Sequence, residues 1–154
     1  MPPLVIESHS DLKDHVGKQI ATTGWLTVTQ DRIQQFADAT GDHQWIHVDV
    51  ERSTRESPYK NTIAHGFLTL SLLPQLMPQV LQIKNGVRMG INYGLNRVRF
   101  VSPVRAGSRI RAHFVLQSLK ELEDGVEIVY AVTVEGEGLE KPACVAEWVV
   151  RSYR

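Results

Sequence analysis

Cysteine is nearly absent from this sequence. Cys144 stands alone, so no internal disulfide can form and a reducing compartment is expected. Long apolar runs are missing as well: the longest, Ile128 to Val132, has five residues, far short of the ~20 that span a bilayer. No membrane insertion is therefore expected. Neither sign of charge is in excess, with 17 basic residues against 17 acidic. Without a polycationic field, nonspecific binding to nucleic acid or to an anionic membrane is not expected either. The opening MPPLVIESHSD lacks the basic start and apolar stretch of a signal peptide, which points to the cytoplasm. No repeat or low-complexity tract interrupts the chain. What is there is 154 residues at 42% hydrophobic and 22% charged. That is the composition of one globular domain spanning 1–154, long enough to bury roughly 70% of its unfolded surface without a disulfide or structural metal.

The hydrophobic pattern changes character near residue 90. Before it, Ser10 and Gly17 bracket a short helix, DLKDHV, and KQIATTGWLTV reads as a strand. Thr29 is a suitable N-cap, Asp31 falls in the favourable first turn, and Ile33, Phe36, Ala37 and Thr40 recur at helical spacing up to Gly41. Asp49 caps a further short helix, ERSTRE, which must stop before Pro58. From His65 to Gln82, Leu68, Leu72, Leu73, Leu76, Met77, Val80 and Leu81 keep a helical period, so this is the expected central, most buried helix. Pro74 and Pro78 predict a kink or break near Leu73. After residue 90 the pattern alternates. Ile110, Ala112, Phe114 and Leu116 form one apolar face, and Val126, Ile128, Tyr130, Val132 and Val134 form another after the Asp124-Gly125 turn signal. Cys144, Ala146, Trp148 and Val150 form a third. An antiparallel sheet needs cover on one face, and the apolar helix is the only long element able to give it. The expectation is an α+β fold with the sheet curled around one helix.

Two stretches carry chemistry. In FADATGDHQWIHVD, Asp42 and His47 are separated by four residues just after a helix ends, where a loop can turn both toward one point. A carboxylate ionised at neutral pH and an imidazole titrating near it can hold one water, remove one proton and deliver another. In IAHGFLTLSLL, Gly66 opens the apolar helix with an N–H that has no intrahelical partner. With no side chain in the way and the helix dipole behind it, that N–H suits an oxyanion. Simpler readings stand beside these. Asp42 can merely satisfy loop amides, His47 can be a hydrogen-bonded loop histidine, and Gly66 can serve close packing. His65 can orient the loop or cap the helix. Asp42, His43, His47 and His65 would make a metal site only if one helix face presented both His43 and His47, and Gly41 interrupts that helix.

The spacing Asp42 to His47, then Ala64-His65-Gly66, then FVSPVRAG from Phe100 to Gly107, resembles the MaoC-like hydratase family over roughly residues 15 to 152. It is most similar to the branch that includes nodulation protein N. The resemblance implies a single hot-dog domain, an antiparallel β-sheet wrapped around a central helix, that forms a homodimer. It also implies (R)-specific hydration of trans-2-enoyl-CoA, or the reverse dehydration, with Asp42 and His47 catalytic and Gly66 N–H on the thioester oxygen. No metal and no separate cofactor are implied, coenzyme A being part of the substrate. The sequence departs from many such hydratases where His43-Gln44-Trp45-Ile46 replaces Asn-Pro between the catalytic residues, so Trp45 is a candidate wall of the acyl pocket. Tyr93, Asn96, Arg99 and Arg105 are further substrate-binding candidates, the arginines because guanidinium matches phosphate; Arg88 and Lys84 are candidates for the same phosphates. Two other functions fit the fold: acyl-CoA thioesterase and non-catalytic acyl-thioester binding.

Overall fold

The computed structural model describes residues 2–154 and begins with β1, Leu4–Ile6. A 3-10 helix follows over His9–His15. It starts earlier than the helix expected after Ser10, because the Asp11 carboxylate accepts from the backbone N–H of Glu7 (3.1 Å) and Ser8 (3.2 Å). Gly17 closes it at a φ of +82°, a left-handed conformation that favours glycine. The strand expected over KQIATTGWLTV is two strands, β2 at Gln19–Thr22 and β3 at Leu26–Thr27. Between them the Thr23 hydroxyl, rather than a ladder carbonyl, accepts from Ala112 N–H (2.9 Å), and Gly24 N–H donates to the Gln79 side chain (3.0 Å).

Helix α1, Gln30–Thr40, forms as its caps dictate. Thr29 Oγ1 accepts from Arg32 N–H (3.1 Å), and Gly41 N–H returns to the Ala37 carbonyl (2.8 Å); an N-cap bond of this kind contributes about 1 kcal/mol. A single turn, α2 at Trp45–Val48, comes next. In α3, Val50–Glu56, Asp49 Oδ1 accepts from Arg52 N–H (3.0 Å), and the helix stops two residues short of Pro58.

The central helical segment is broken where the prolines require it. It runs as α4, Gly66–Ser71, then α5, Leu73–Leu76, then a 3-10 turn over Met77–Gln79. Pro74 and Pro78 each lie in the first turn of their own piece, where a missing N–H costs no hydrogen bond. The expected continuation of the helix to Gln82 is corrected. Pro78 ends it, and Leu81 opens β4, Leu81–Ile83, which pairs in parallel with β1. Leu68, Leu72, Leu73 and Leu76 are buried as expected.

The remaining chain is four long strands: β5 Met89–Arg99, β6 Arg109–Leu122, β7 Gly125–Gly136 and β8 Cys144–Tyr153. The antiparallel sheet has the order β2-β6-β7-β8-β5, with β3 also on β6. Its inner face is the expected alternation. Ile110, Ala112, Phe114, Leu116, Val126, Ile128, Tyr130, Val132, Val134, Cys144, Ala146 and Trp148 are all buried in one cluster with the leucines of α4 and α5. The sheet thus wraps the broken helix, and α4 packs against β8 while α5 packs against β6. Edge strand β5 is the exception. Met89, Ile91, Tyr93 and Leu95 remain 44, 43, 58 and 43% exposed.

Candidate active site

The site forms where the loop after α1, the single turn α2 and the start of α4 meet. His47 is buried on α2. The turn is held from below by Gln30 of α1, whose side-chain amide donates to the His47 carbonyl (2.8 Å), and from the side by Ile63 N–H, which donates to Ile46 O (3.0 Å). His47 Nδ1 lies 2.7 Å from the Ile63 carbonyl. A carbonyl only accepts, so Nδ1 carries the proton and Nε2 presents a lone pair. Burial holds the His47 pKa below its ordinary 6.5. The bond to Ile63 opposes that effect, the neighbouring His65 adds to it and Asp42 opposes it. The imidazole is therefore a neutral base near pH 7.

Asp42 follows the left-handed Gly41 and stays largely exposed, its Oδ1 accepting from Gln44 N–H (3.3 Å). His65 occupies the N-cap position of α4, but its side chain makes no capping bond to that helix. Its Nε2–H donates to the Asp42 backbone carbonyl (3.0 Å), with Asp42 Oδ2 at 4.0 Å. Its ring stacks on His47, centroids 3.8 Å apart and planes 23° from parallel. Facing atoms of Asp42, His47 and His65 lie within 4.8 Å of one another, the separation that one bridging water spans with two ordinary hydrogen bonds. A metal fits poorly. Imidazole lone pairs lie in the ring plane, and two nearly parallel planes 3.8 Å apart do not aim them at one ion. His43 turns away to a hydrogen bond with the Asp38 carboxylate (2.9 Å).

Gly66 N–H, first in α4, has no acceptor among the described residues. Helix α4 has only six residues, so the unpaired N–H itself matters more here than a macrodipole. The glycine has a further reason. A Cβ built there would lie 2.7 Å from Phe100 Cδ2, so the Phe100 ring fills the space a side chain would need. His47, Gly66, Tyr59, Thr69, Phe100 and Val101 share a cleft of about 250 Å³. Asp42 is not part of its lining; its carboxylate lies within 4.8 Å of a ring nitrogen of the lining residue His47.

The other candidates are scattered within one chain. The Trp45 ring lies under the Arg52 guanidinium at 4.2 Å, away from the cleft lining. Tyr93 and Asn96 sit on the exposed edge strand β5, Tyr93 beneath Arg151 at 3.7 Å. Arg99 ends β5 next to cleft residues Phe100 and Val101. Arg105 pairs with Ile63 in an isolated bridge and lines a hollow that shares Pro103 and Val104 with the cleft. Lys84 is paired with Glu7 at 2.8 Å. The bond from His65 to the Asp42 carbonyl matches the expectation that this residue orients the loop, whereas its stacking on His47 has no signal in the sequence.

An antiparallel sheet wrapped around a central helix, with a carboxylate and an imidazole brought together beside the start of that helix, defines a hot-dog domain protein. The R-hydratase PhaJ1 of Pseudomonas aeruginosa has the same fold, with a TM-score of 0.68 at 22% identity over 90% of this chain and 82% of that one. The chain belongs to the MaoC like domain family, which it matches over residues 11–137. It is 52% identical over 146 residues to the 3-hydroxyacyl-thioester dehydratase Z of Mycobacterium tuberculosis, covering 94% of this chain and 95% of the relative. It is 47% identical over 143 residues to nodulation protein N of Rhizobium meliloti, covering 92% and 89%.

Proposed function

We propose that this protein interconverts trans-2-enoyl thioesters and (R)-3-hydroxyacyl thioesters, carried on coenzyme A, at the Asp42–His47 pair. Relatives named as a 3-hydroxyacyl-thioester dehydratase and an R-hydratase support the reaction class. The observation that carries the reading is the neutral His47 imidazole, oriented by the Ile63 carbonyl, with a ring nitrogen within 4.8 Å of the Asp42 carboxylate. In hydration the pair orients a water and takes one of its protons while the oxygen bonds to C3. The C2=C3 pair shifts toward the thioester, whose oxygen takes the charge at Gly66 N–H, and a proton returned from the pair to C2 on the same face completes the addition. Proton transfer of this kind is worth ~10²- to 10⁴-fold, and an oxyanion donor ~10²- to 10³-fold.

The surroundings agree with a thioester. From the cleft, the helix face Gly66, Thr69, Leu70, Pro74 leads into a hollow of about 250 Å³ beside Trp148, room for an acyl chain. In the other direction Pro103 and Val104 lead to Arg105, a cation for a coenzyme A phosphate, with Arg99 at the cleft's edge. The unpaired edge of β5 and its exposed apolar side chains suit pairing with a second copy of the chain, which would bring Tyr93 and Asn96 into an interface. No helix among the described residues is long and apolar enough to cross a membrane, and a coenzyme A thioester substrate fits a cytoplasmic enzyme.

The test is loss of the conjugated enoyl absorbance when the purified protein meets trans-2-enoyl-CoA of short, medium and long chain, followed by chiral analysis of the product. An (R)-3-hydroxyacyl-CoA product supports the reading. Thioester cleavage in excess of hydration would replace it with a thioesterase, and tight binding without product would replace it with an acyl-thioester binding role.

A further inference from the structure

His65 is 4% exposed and takes no part in the chemistry above. One of its nitrogens is engaged and the other is stranded: Nε2–H donates to Asp42 O (3.0 Å), while Nδ1 is buried with no partner among the described residues. A stranded polar atom opposes folding, and an apolar ring of the same shape would avoid that cost. A histidine here is therefore explained by what its other nitrogen and its ring face do. Among the described residues, the remaining hydrogen bonds of 41–44 are local: Gly41 N–H to Ala37 O, Gln44 N–H to Asp42 Oδ1, His43 to Asp38 and His47 N–H to Gln44 O. The bond from His65 is what ties this segment to α4, 23 residues further along the chain.

We propose that His65 is a positioning residue for the pair: its Nε2–H fixes the Asp42 backbone, and its ring, stacked on His47, fixes the orientation of that imidazole. The inference rests on the reading of Asp42 and His47 as the hydration pair. His47 is faced by the Asp42 carboxylate, the Ile63 carbonyl, the Tyr59 side chain across the cleft and His65. Of these, His65 resists protonation of His47, in the same direction as burial, whereas Asp42 and Ile63 favour it. Two stacked imidazoles at 3.8 Å cannot both accept a proton without direct repulsion.

The test compares wild type with His65→Phe and His65→Gln in the full chain, each checked by thermal melting. Phenylalanine keeps a stacked ring and loses the donor; glutamine keeps an amide donor able to reach the Asp42 carbonyl. For His65→Phe, kcat for enoyl-CoA hydration should fall about a hundredfold, as for misplacement of a catalytic group by ~1 Å, with KM changing by less than about threefold. His65→Gln, which restores the donor but not the ring, should recover only part of the lost kcat. The His47 titration midpoint, followed by NMR of its ring protons, should rise in His65→Phe. Equal losses in both variants with KM rising in parallel, or full kcat in His65→Phe, would overturn the proposal. Should wild type show no hydration, the functional reading fails on its own. The NMR titration then still decides the positioning role, and an unchanged His47 midpoint overturns it.

Discussion

A methyl group at Gly66 is the sharpest probe of where the thioester sits. The Cβ of a Gly66→Ala protein would fall 2.7 Å from Cδ2, 2.8 Å from Cγ and 3.0 Å from Cε2 of Phe100. Carbon atoms pack at ~3.5–4.0 Å, so the ring must retreat by roughly 1 Å. It has somewhere to go. Phe100 is 41% exposed and meets Phe67, itself 68% exposed, edge-on at 5.8 Å. Overpacking typically costs ~1–3 kcal/mol, and replacing a helical glycine by alanine returns roughly 0.5–1 kcal/mol. The net loss of about 0–2.5 kcal/mol lowers Tm by no more than about 10 °C in a chain of this size. Catalysis should suffer more. The backbone donor survives, but the methyl group and the displaced ring narrow the cleft at the thioester oxygen, and a misplacement of ~1 Å costs about 10²-fold. Hydration kinetics and a melting curve on the same sample check this. The expected result is a kcat/KM lower by about two decades with a Tm shift of a few degrees. A kcat/KM equal to wild type would refute the placement of the thioester at Gly66.

The pH dependence follows from His47, whose pKa burial holds below 6.5. The acid limb of kcat/KM should lie below pH 6.5, and an acid limb above it that NMR assigns to His47 would contradict the burial argument. Stability has a matching sign. The folded pKa is depressed, so the contribution is complete above the unfolded value and is lost as pH falls through the folded one; melting curves between pH 7 and 5 should show it. Gly125→Ala contrasts with Gly66→Ala because its Cβ would lie 2.2 Å from Ser152 O and 2.9 Å from Tyr153 Cα. Backbone cannot swing aside, so Tm should drop further than in Gly66→Ala, and equal melts would count against the close β7–β8 approach. Ile91→Lys places a charge on the exposed edge strand β5. Sedimentation should show a dimer for wild type and a monomer for this variant, and a wild-type monomer at micromolar concentration would remove the proposed interface.

Local signals were readable wherever local physics decided the outcome. Thr29 and Gly41 bracketed α1 because a cap and a left-handed glycine act within a few residues, and β6, β7 and β8 showed their buried faces through strict alternation. Pro74 and Pro78 announced the break in the central helix. Val80 and Leu81 misled because apolar spacing alone cannot distinguish a last helical turn from a short strand, and the partner that makes Leu81–Ile83 a strand is Leu4–Ile6, at the far end of the chain. At the site, the types and spacing of Asp42, His47 and Gly66 stood out in the sequence. The stack of His65 on His47 and the Phe100 ring over Gly66 depend on contacts across 18 and 34 residues that no periodicity records.

The central claim is that Asp42 and His47 together move protons to and from an enoyl thioester. Its most direct test is the turnover of trans-2-enoyl-CoA by wild type and by Asp42→Asn, with product configuration determined and the fold of the variant checked by melting. Asparagine keeps the size and the acceptor for Gln44 N–H but cannot take up a proton. The account predicts (R)-3-hydroxyacyl-CoA from wild type and a kcat lower by ~10²- to 10⁴-fold in the folded variant. An Asp42→Asn protein that hydrates at the wild-type rate would contradict it.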